Sequence, residues 1–265
     1  MALVTARVPV TAAASDVIEP GRFVWRDLMT RDVAASKRFY GQLLGWRFED
    51  VRRGDRPYVL ARTGSGYVGG IVDVSAMPDA AAQWLCFMAV NDVDKSVALV
   101  QADGGKVLVP PRDLPAARVA VVADPQGAPL GVARLQRDLP VPSEPTTGHF
   151  FWQEYLARDD AQALGFYKRL AGYQSALTDS SLGIEYHVLR TSRGRAGLFR
   201  LPPATDVEPN WLPYVLVDDP AALAARVIAL GGRILVPAAP DRRKGALVVI
   251  ADSGGAPLAL QKYPF

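Results

Sequence analysis

Two carboxylates occupy matching places in this chain, and both could do chemistry. Asp27 and Glu154 stand 127 positions apart, each two residues after a tryptophan, Trp25 and Trp152. Alternation along a strand would send Trp25, Asp27 and Met29 to one face, and likewise Trp152, Glu154 and Leu156 in the second copy. A carboxylate held in an apolar cleft has a raised pKa and can act as a general acid or base. Paired with an arginine or a backbone N–H, it is structural instead. Tyr58 and Tyr186 fall near corresponding places further on and could lend hydroxyls or fill core. The two indoles could stack on a planar or cationic ligand, or could fill the cleft themselves. Asp27 and Glu154 lie in different halves, so they are not expected to flank one substrate as a pair.

The remaining reactive types are few. The chain holds two histidines, His149 and His187, and one cysteine, Cys86. His187 beside Tyr186 reads as a partly buried packing residue, and His149 as a surface residue. Cys86 should point to the helix-covered side of its strand and behave as a small hydrophobe. Arg193-Gly194-Arg195 and Arg242-Arg243-Lys244 read as solvated loops. The first has a composition suited to grasping a phosphate or carboxylate, but lacks the glycine-rich strand-to-helix context that would make it a cradle. No Ser-His-Asp elbow, P-loop or dinucleotide fingerprint is present.

Internal repeats supply the elements that position these residues. Phe39-Tyr40 recurs as Phe166-Tyr167, Trp84-Leu85 as Trp211-Leu212, and Gly104-Gly105 as Gly231-Gly232, all 127 positions later. Asp124-Pro-Gln-Gly127 recurs as Asp252-Ser-Gly-Gly255, 128 positions later. A weaker step of 60 relates Asp32 to Asp92, Asp159 to Asp219, and Gly45 to Gly105. Helices are therefore expected to start near Asp32, Asp92, Asp159 and Asp219, each N-capped by the aspartate and stopped at a glycine. Pro220 suits the first turn of the fourth. Each unit reads strand, helix, then about three strands. This gives a tail over residues 1–20, a domain over 21–136, a linker over 137–148 rich in Pro, Ser and Thr, and a second domain over 149–265.

Composition narrows the partners. A net charge of +3 with scattered basic residues argues against nucleic acid. No apolar run reaches the ~20 residues a membrane span needs. The expectation is a cytoplasmic monomer or homodimer with a small-molecule partner and no cofactor.

Four such modules paired into two domains resemble the vicinal oxygen chelate superfamily of glyoxalases, bleomycin-resistance proteins and extradiol dioxygenases. The carrying residues are Trp25 to Asp32, Phe39-Tyr40, Gly45-Trp46 and Asp124 to Gly127, with their second copies at Trp152 to Asp159, Phe166-Tyr167 and Asp252 to Gly255. The resemblance implies an α+β fold: four βαβββ modules forming two U-shaped mixed sheets, with helices on the convex side and a ligand cleft inside each. It also places metal ligands at Trp25, Leu85, Trp152, Leu212, Gly131 and Ala259, and approximately at Ile71 and Leu198. None of these can bind a divalent ion, which needs His, Cys or carboxylate. The family's metal site is therefore expected to be missing. The resemblance leaves a metal-independent cleft lined by Trp25, Asp27, Met29, Tyr58, Leu85 and Phe87, and a copy lined by Trp152, Glu154, Tyr186, Leu212 and Tyr214. The alternatives are a glyoxalase-like lyase, isomerase or dioxygenase with non-standard ligands, and a non-catalytic scaffold.

Overall fold

The computed structural model describes residues 19–53, 56–77, 79–136, 146–178, 185–192 and 195–263. Most of the expected tail and linker lies outside these. The first half runs β1 (Phe23–Thr30), α1 (Val33–Leu44), β2 (Arg47–Arg53), β3 (Arg56–Thr63), β4 (Gly66–Asp73), β5 (Gln83–Ala89), α2 (Val93–Ala102), β6 (Lys106–Leu114), β7 (Ala117–Ala123) and β8 (Pro129–Leu135). The second repeats it: β9 (Phe150–Ala157), α3 (Asp160–Ala171), β10 (Gln174–Thr178), β11 (Tyr186–Arg190), β12 (Arg195–Arg200), β13 (Asn210–Leu216), α4 (Ala224–Ala229), β14 (Arg233–Val236), β15 (Leu247–Ala251) and β16 (Pro257–Gln261).

Each half forms one curled, mixed sheet of eight strands, in the orders β2-β3-β4-β1-β5-β8-β7-β6 and β10-β11-β12-β9-β13-β16-β15-β14. Within each, the first strand of a module pairs in parallel with its last, and the two modules join antiparallel through β1 with β5 and β9 with β13. The tandem α+β architecture that the resemblance implies is the one observed.

Three helices start as their caps dictate. Asp32, Asp92 and Asp159 accept the backbone N–H of Ala35, Lys95 and Gln162 at 2.8, 3.0 and 2.9 Å. Gly45 and Gly172 then end α1 and α3 in the left-handed conformation, φ 69° and 72°. The fourth helix is a correction. Asp219 accepts from Ala222 N–H at 3.0 Å, but that turn stays tight, with Ala224 N–H bonding Ala221 C=O, and α4 begins only at Ala224. The sequence pattern does not mark strands β2 and β10 individually. β2 is a charged edge strand, Arg47-Phe-Glu-Asp-Val-Arg-Arg53, and such edges hide their period behind residues that discourage pairing with other chains.

The helix-bearing faces of the two sheets meet one another. One core cluster joins Cys86, Met88, Val97 and Leu130 of the first domain to Tyr155, Phe166 and Trp211 of the second. The other joins Leu28, Phe39 and Trp84 to Val215, Val227 and Leu260. Cys86 lies on this face, as expected, and is fully buried.

The repeated motifs turn out to be an interdomain lock with pseudo-twofold symmetry. Tyr40 donates to Asp252 Oδ2 at 2.9 Å and Tyr167 to Asp124 Oδ2 at 2.8 Å. Each phenol in turn accepts an indole N–H, from Trp84 and Trp211 at 2.9 and 2.8 Å. Trp46 donates to Gly148 C=O at 2.8 Å, and Tyr173 donates to Gly21 C=O in the mirror contact. Arg26 meets its own counterpart Gln153 at 2.6 Å near the pseudo-axis.

Candidate functional site

The concave face of the first sheet gathers Trp25, Asp27, Met29, Leu85 and Phe87, because β1 and β5 pair Trp25 with Phe87 and Asp27 with Leu85. Tyr58 reaches in from β3. Asp27 Oδ1 accepts from Tyr58 Oη at 2.5 Å and from Trp25 Nε1 at 2.8 Å, and Oδ2 accepts from Arg53 Nη1 at 3.0 Å. The Arg53 guanidinium also covers the Tyr58 ring at 3.7 Å. Burial, reinforced by the Asp27 charge, pushes the Tyr58 phenol well above its ordinary pKa, so it stays a donor. Asp27 is thus paired with an arginine in the manner of a structural carboxylate.

The second sheet repeats the triplet and adds to it. Glu154 accepts from Tyr186 at 2.6 Å, from Trp152 at 3.3 Å, and from both Tyr214 and Arg243 in short contacts. Tyr214 and Tyr186 are also raised in pKa by burial and by Glu154. Arg243 bonds Gln261 as well. It enters the cleft from a turn in which Arg243 and Lys244, at φ 46° and 55°, are both left-handed. Such strain persists only where its surroundings over-determine it. Leu212 packs below, with Leu156 and Ala259.

The side chains at the family's metal positions do not fit a divalent ion. Register corrects two of them: Asp27 pairs with Gly70 and Glu154 with Gly197, so Ile71 and Leu198 point to the helix side and the glycines face the clefts. A Cβ on Gly70 would lie 1.7 Å from Tyr58 Oη, one on Gly197 would lie 2.1 Å from Tyr186 Oη, and one on Gly131 would lie 2.2 Å from the Phe87 ring. Aromatic side chains therefore occupy the space a ligating side chain would need. Asp27 and Glu154 are the carboxylates paired directly beside Gly70 and Gly197.

All eleven residues singled out from sequence lie on or beside these two faces. Two arginines were missed. Arg53 sits at the end of the unrecognised edge strand β2. Arg243 belongs to a segment read as a solvated loop, and its side chain is only 12% exposed. His149 is also corrected: it is half-buried between the domains, with Nε2 2.6 Å from Thr63 Oγ1 and 2.8 Å from Ser65 Oγ. A further cavity of about 250 Å³ lies between the domains, flanked by Trp84 and Trp211 with Gln83 and Asn210. No helix among the described residues is long and apolar enough to cross a membrane.

A family model described as glyoxalase/bleomycin resistance protein/dioxygenase superfamily matches residues 22–132. CFP32 of Mycobacterium tuberculosis, whose glyoxylase name is provisional, is 32% identical over 246 residues, spanning 90% of this chain and 93% of its own. The anthracycline biosynthesis protein DauV of a Streptomyces species is 31% identical over 238 residues, spanning 81% and 84%. The Mn(II)-bound glyoxalase of Novosphingobium aromaticivorans superposes with a TM-score of 0.61 at 15% identity, covering 93% of this chain and 83% of that one. At that identity the likeness speaks to fold alone.

Proposed function

Since the chain belongs to the glyoxalase/bleomycin resistance protein/dioxygenase superfamily, we propose that it binds a small hydrophobic or aromatic molecule in a cleft that works without a metal, and that the first domain holds the working cleft. The observation that carries this is the pair Gly70 and Gly131. They stand where ligating side chains would project, and Tyr58 and Phe87 lie across them. What remains is an apolar wall of Trp25, Met29, Leu85 and Phe87, with Arg53 and the Tyr58–Asp27 pair as the polar contribution. A concave apolar surface with a few fixed polar groups is the usual form of a small-molecule site. Arg53, 24% exposed in its side chain, can offer remaining N–H groups to an oxygen on the ligand rim.

DauV bears an anthracycline biosynthesis name, so an anthracycline is the first probe. Titration followed by tryptophan fluorescence and thermal shift should give saturable binding. At 100 times Kd the ligand adds about 2.7 kcal/mol of apparent stability. Trp25→Ala should weaken binding at least tenfold, Trp152→Ala should leave it unchanged, and EDTA should have no effect on affinity. Loss of binding in EDTA would overturn the metal-free reading. Unchanged affinity in Trp25→Ala would overturn the site. A scaffold role predicts no shift with any small molecule.

A further inference from the structure

One cluster of metal-ligating side chains lies outside both clefts. Asp160 is the first residue of α3, Glu185 immediately precedes β11, and His187 lies within it; their nearest ligand atoms all fall within 4.8 Å of one another. Glu185 and His187 flank Tyr186, so strand alternation sends them to the helix side while Tyr186 enters the second cleft. Asp160 is held in place. Its Oδ1 accepts from Ala161 N–H at 3.1 Å and from Arg200 Nε and Nη2 at 3.0 and 2.5 Å. Those bonds all fall on Oδ1, so the second carboxylate oxygen has no hydrogen-bond partner among the described residues. Among the described residues, Glu185 and His187 have no other hydrogen-bond or ion-pair partner.

We propose that Asp160, Glu185 and His187 form a structural site for a borderline divalent cation of the Zn²⁺ type, tying β11 to the start of α3. One imidazole nitrogen with two carboxylate oxygens is a mixed donor set that suits Zn²⁺ and disfavours Mg²⁺, which prefers all-oxygen octahedra. Bonds of about 2.0–2.2 Å require donors about 3–3.5 Å apart, so the cluster must tighten slightly. Glu185 is exposed and can supply that movement. Arg200 fixes the Asp160 carboxylate from behind, as outer partners of metal ligands do. Its charge also opposes the ion, so the site binds less tightly than a closed four-ligand site. The position is distinct from the family's cleft: it is on the opposite face of the sheet from Glu154. Its consequence for the fold is to fix the strand that carries Tyr186.

The test is calorimetric titration of the full chain, first stripped with chelator, with Zn²⁺ and separately with Mg²⁺. One Zn²⁺ per chain should bind, with a rise in Tm. His187→Ala and, at an exposed position that cannot disturb folding, Glu185→Gln should each weaken Zn²⁺ binding at least tenfold. His149→Ala, which removes the other histidine, should leave it intact. Absence of saturable Zn²⁺ binding, equal affinity for Mg²⁺, or unchanged affinity in both variants would overturn the site.

Discussion

The two clefts began as copies and have parted. Both keep a tryptophan, a carboxylate and a tyrosine in the same places. In the first, Asp27 receives three donors, and Arg53 lies at the rim. In the second, the carboxylate is one methylene longer, and Tyr214 stands where Phe87 stood. Glu154 thereby gains a second phenol, and Arg243 closes over it. The floor differs accordingly. Phe87 lies against Gly131 so closely that a Cβ there would stand 2.2 Å from its ring, whereas Ala259 already carries that carbon beside Tyr214. Both clefts keep an apolar wall, and the second carries the denser polar cluster, with Glu154 held by Trp152, Tyr186, Tyr214 and Arg243. Duplication lets the side chains of one copy diverge from those of the other while the fold is kept.

The largest effect that would break this contrast is at the carboxylates. Glu154→Ala removes the carboxylate beside Arg243, 12% exposed, and beside the buried Tyr214 and partly buried Tyr186 phenols. Uncompensated buried charge costs about 3–5 kcal/mol. Asp27→Ala leaves Arg53 in reach of water, so urea unfolding should show a smaller loss, about 1–3 kcal/mol, with the main damage to ligand binding. Equal losses would mean that the two clefts are alike.

Next come the interdomain phenols, which should not distinguish the halves. Tyr40→Phe and Tyr167→Phe each leave a buried aspartate, Asp252 or Asp124, without one donor. Each should cost about 1–3 kcal/mol by chemical unfolding. A difference of more than about 1 kcal/mol between them would show that the lock is asymmetric too. Gly131→Ala follows. It forces the Phe87 ring out of its place, at about 1–3 kcal/mol of overpacking, and Phe87→Leu in the same chain should relieve most of it. The reverse change, Ala259→Gly, should cost no more than about 1 kcal/mol.

Much of this was legible in the chain because duplication writes each element twice. Asp32, Asp92 and Asp159 marked helix starts through a local rule, since a cap depends on its own next three residues. The alternation around Trp25 and Trp152 marked the cleft faces for the same reason. What stayed hidden was decided at a distance. Arg243 reaches Glu154 across 89 positions, from a turn whose left-handed residues carry no glycine signal at 243 or 244. The true neighbours of Asp27 and Glu154 are Gly70 and Gly197, one residue from the positions a fixed module period indicates. Register is set by pairing between strands, and a slip of one residue exchanges the two faces of a sheet. The Phe-Tyr and Asp-Pro-Gln-Gly motifs were visible as repeats, but their role lies in contacts between domains, which no single copy encodes.

The smallest effect tests whether the interdomain seam is as symmetric as its phenols. His149 sits on one side of the pseudo-axis against Thr63 and Ser65, and the residue 127 positions earlier is Arg22, which does not titrate in the same range. Burial lowers the His149 pKa below its ordinary 6.5. The folded chain therefore prefers the neutral ring, while the unfolded chain takes up its proton first as pH falls. Stability should be level above pH 7 and decline as pH drops through about 6.5, flattening below the folded pKa. His149→Gln keeps a polar partner for the two hydroxyls and removes the proton. Thermal melts between pH 7.5 and 5 should then lose the part of the slope that sets in as pH falls below about 6.5, a change in Tm of no more than about 2 °C. An identical slope in the variant would assign it to carboxylates elsewhere and leave the seam symmetric in its pH response.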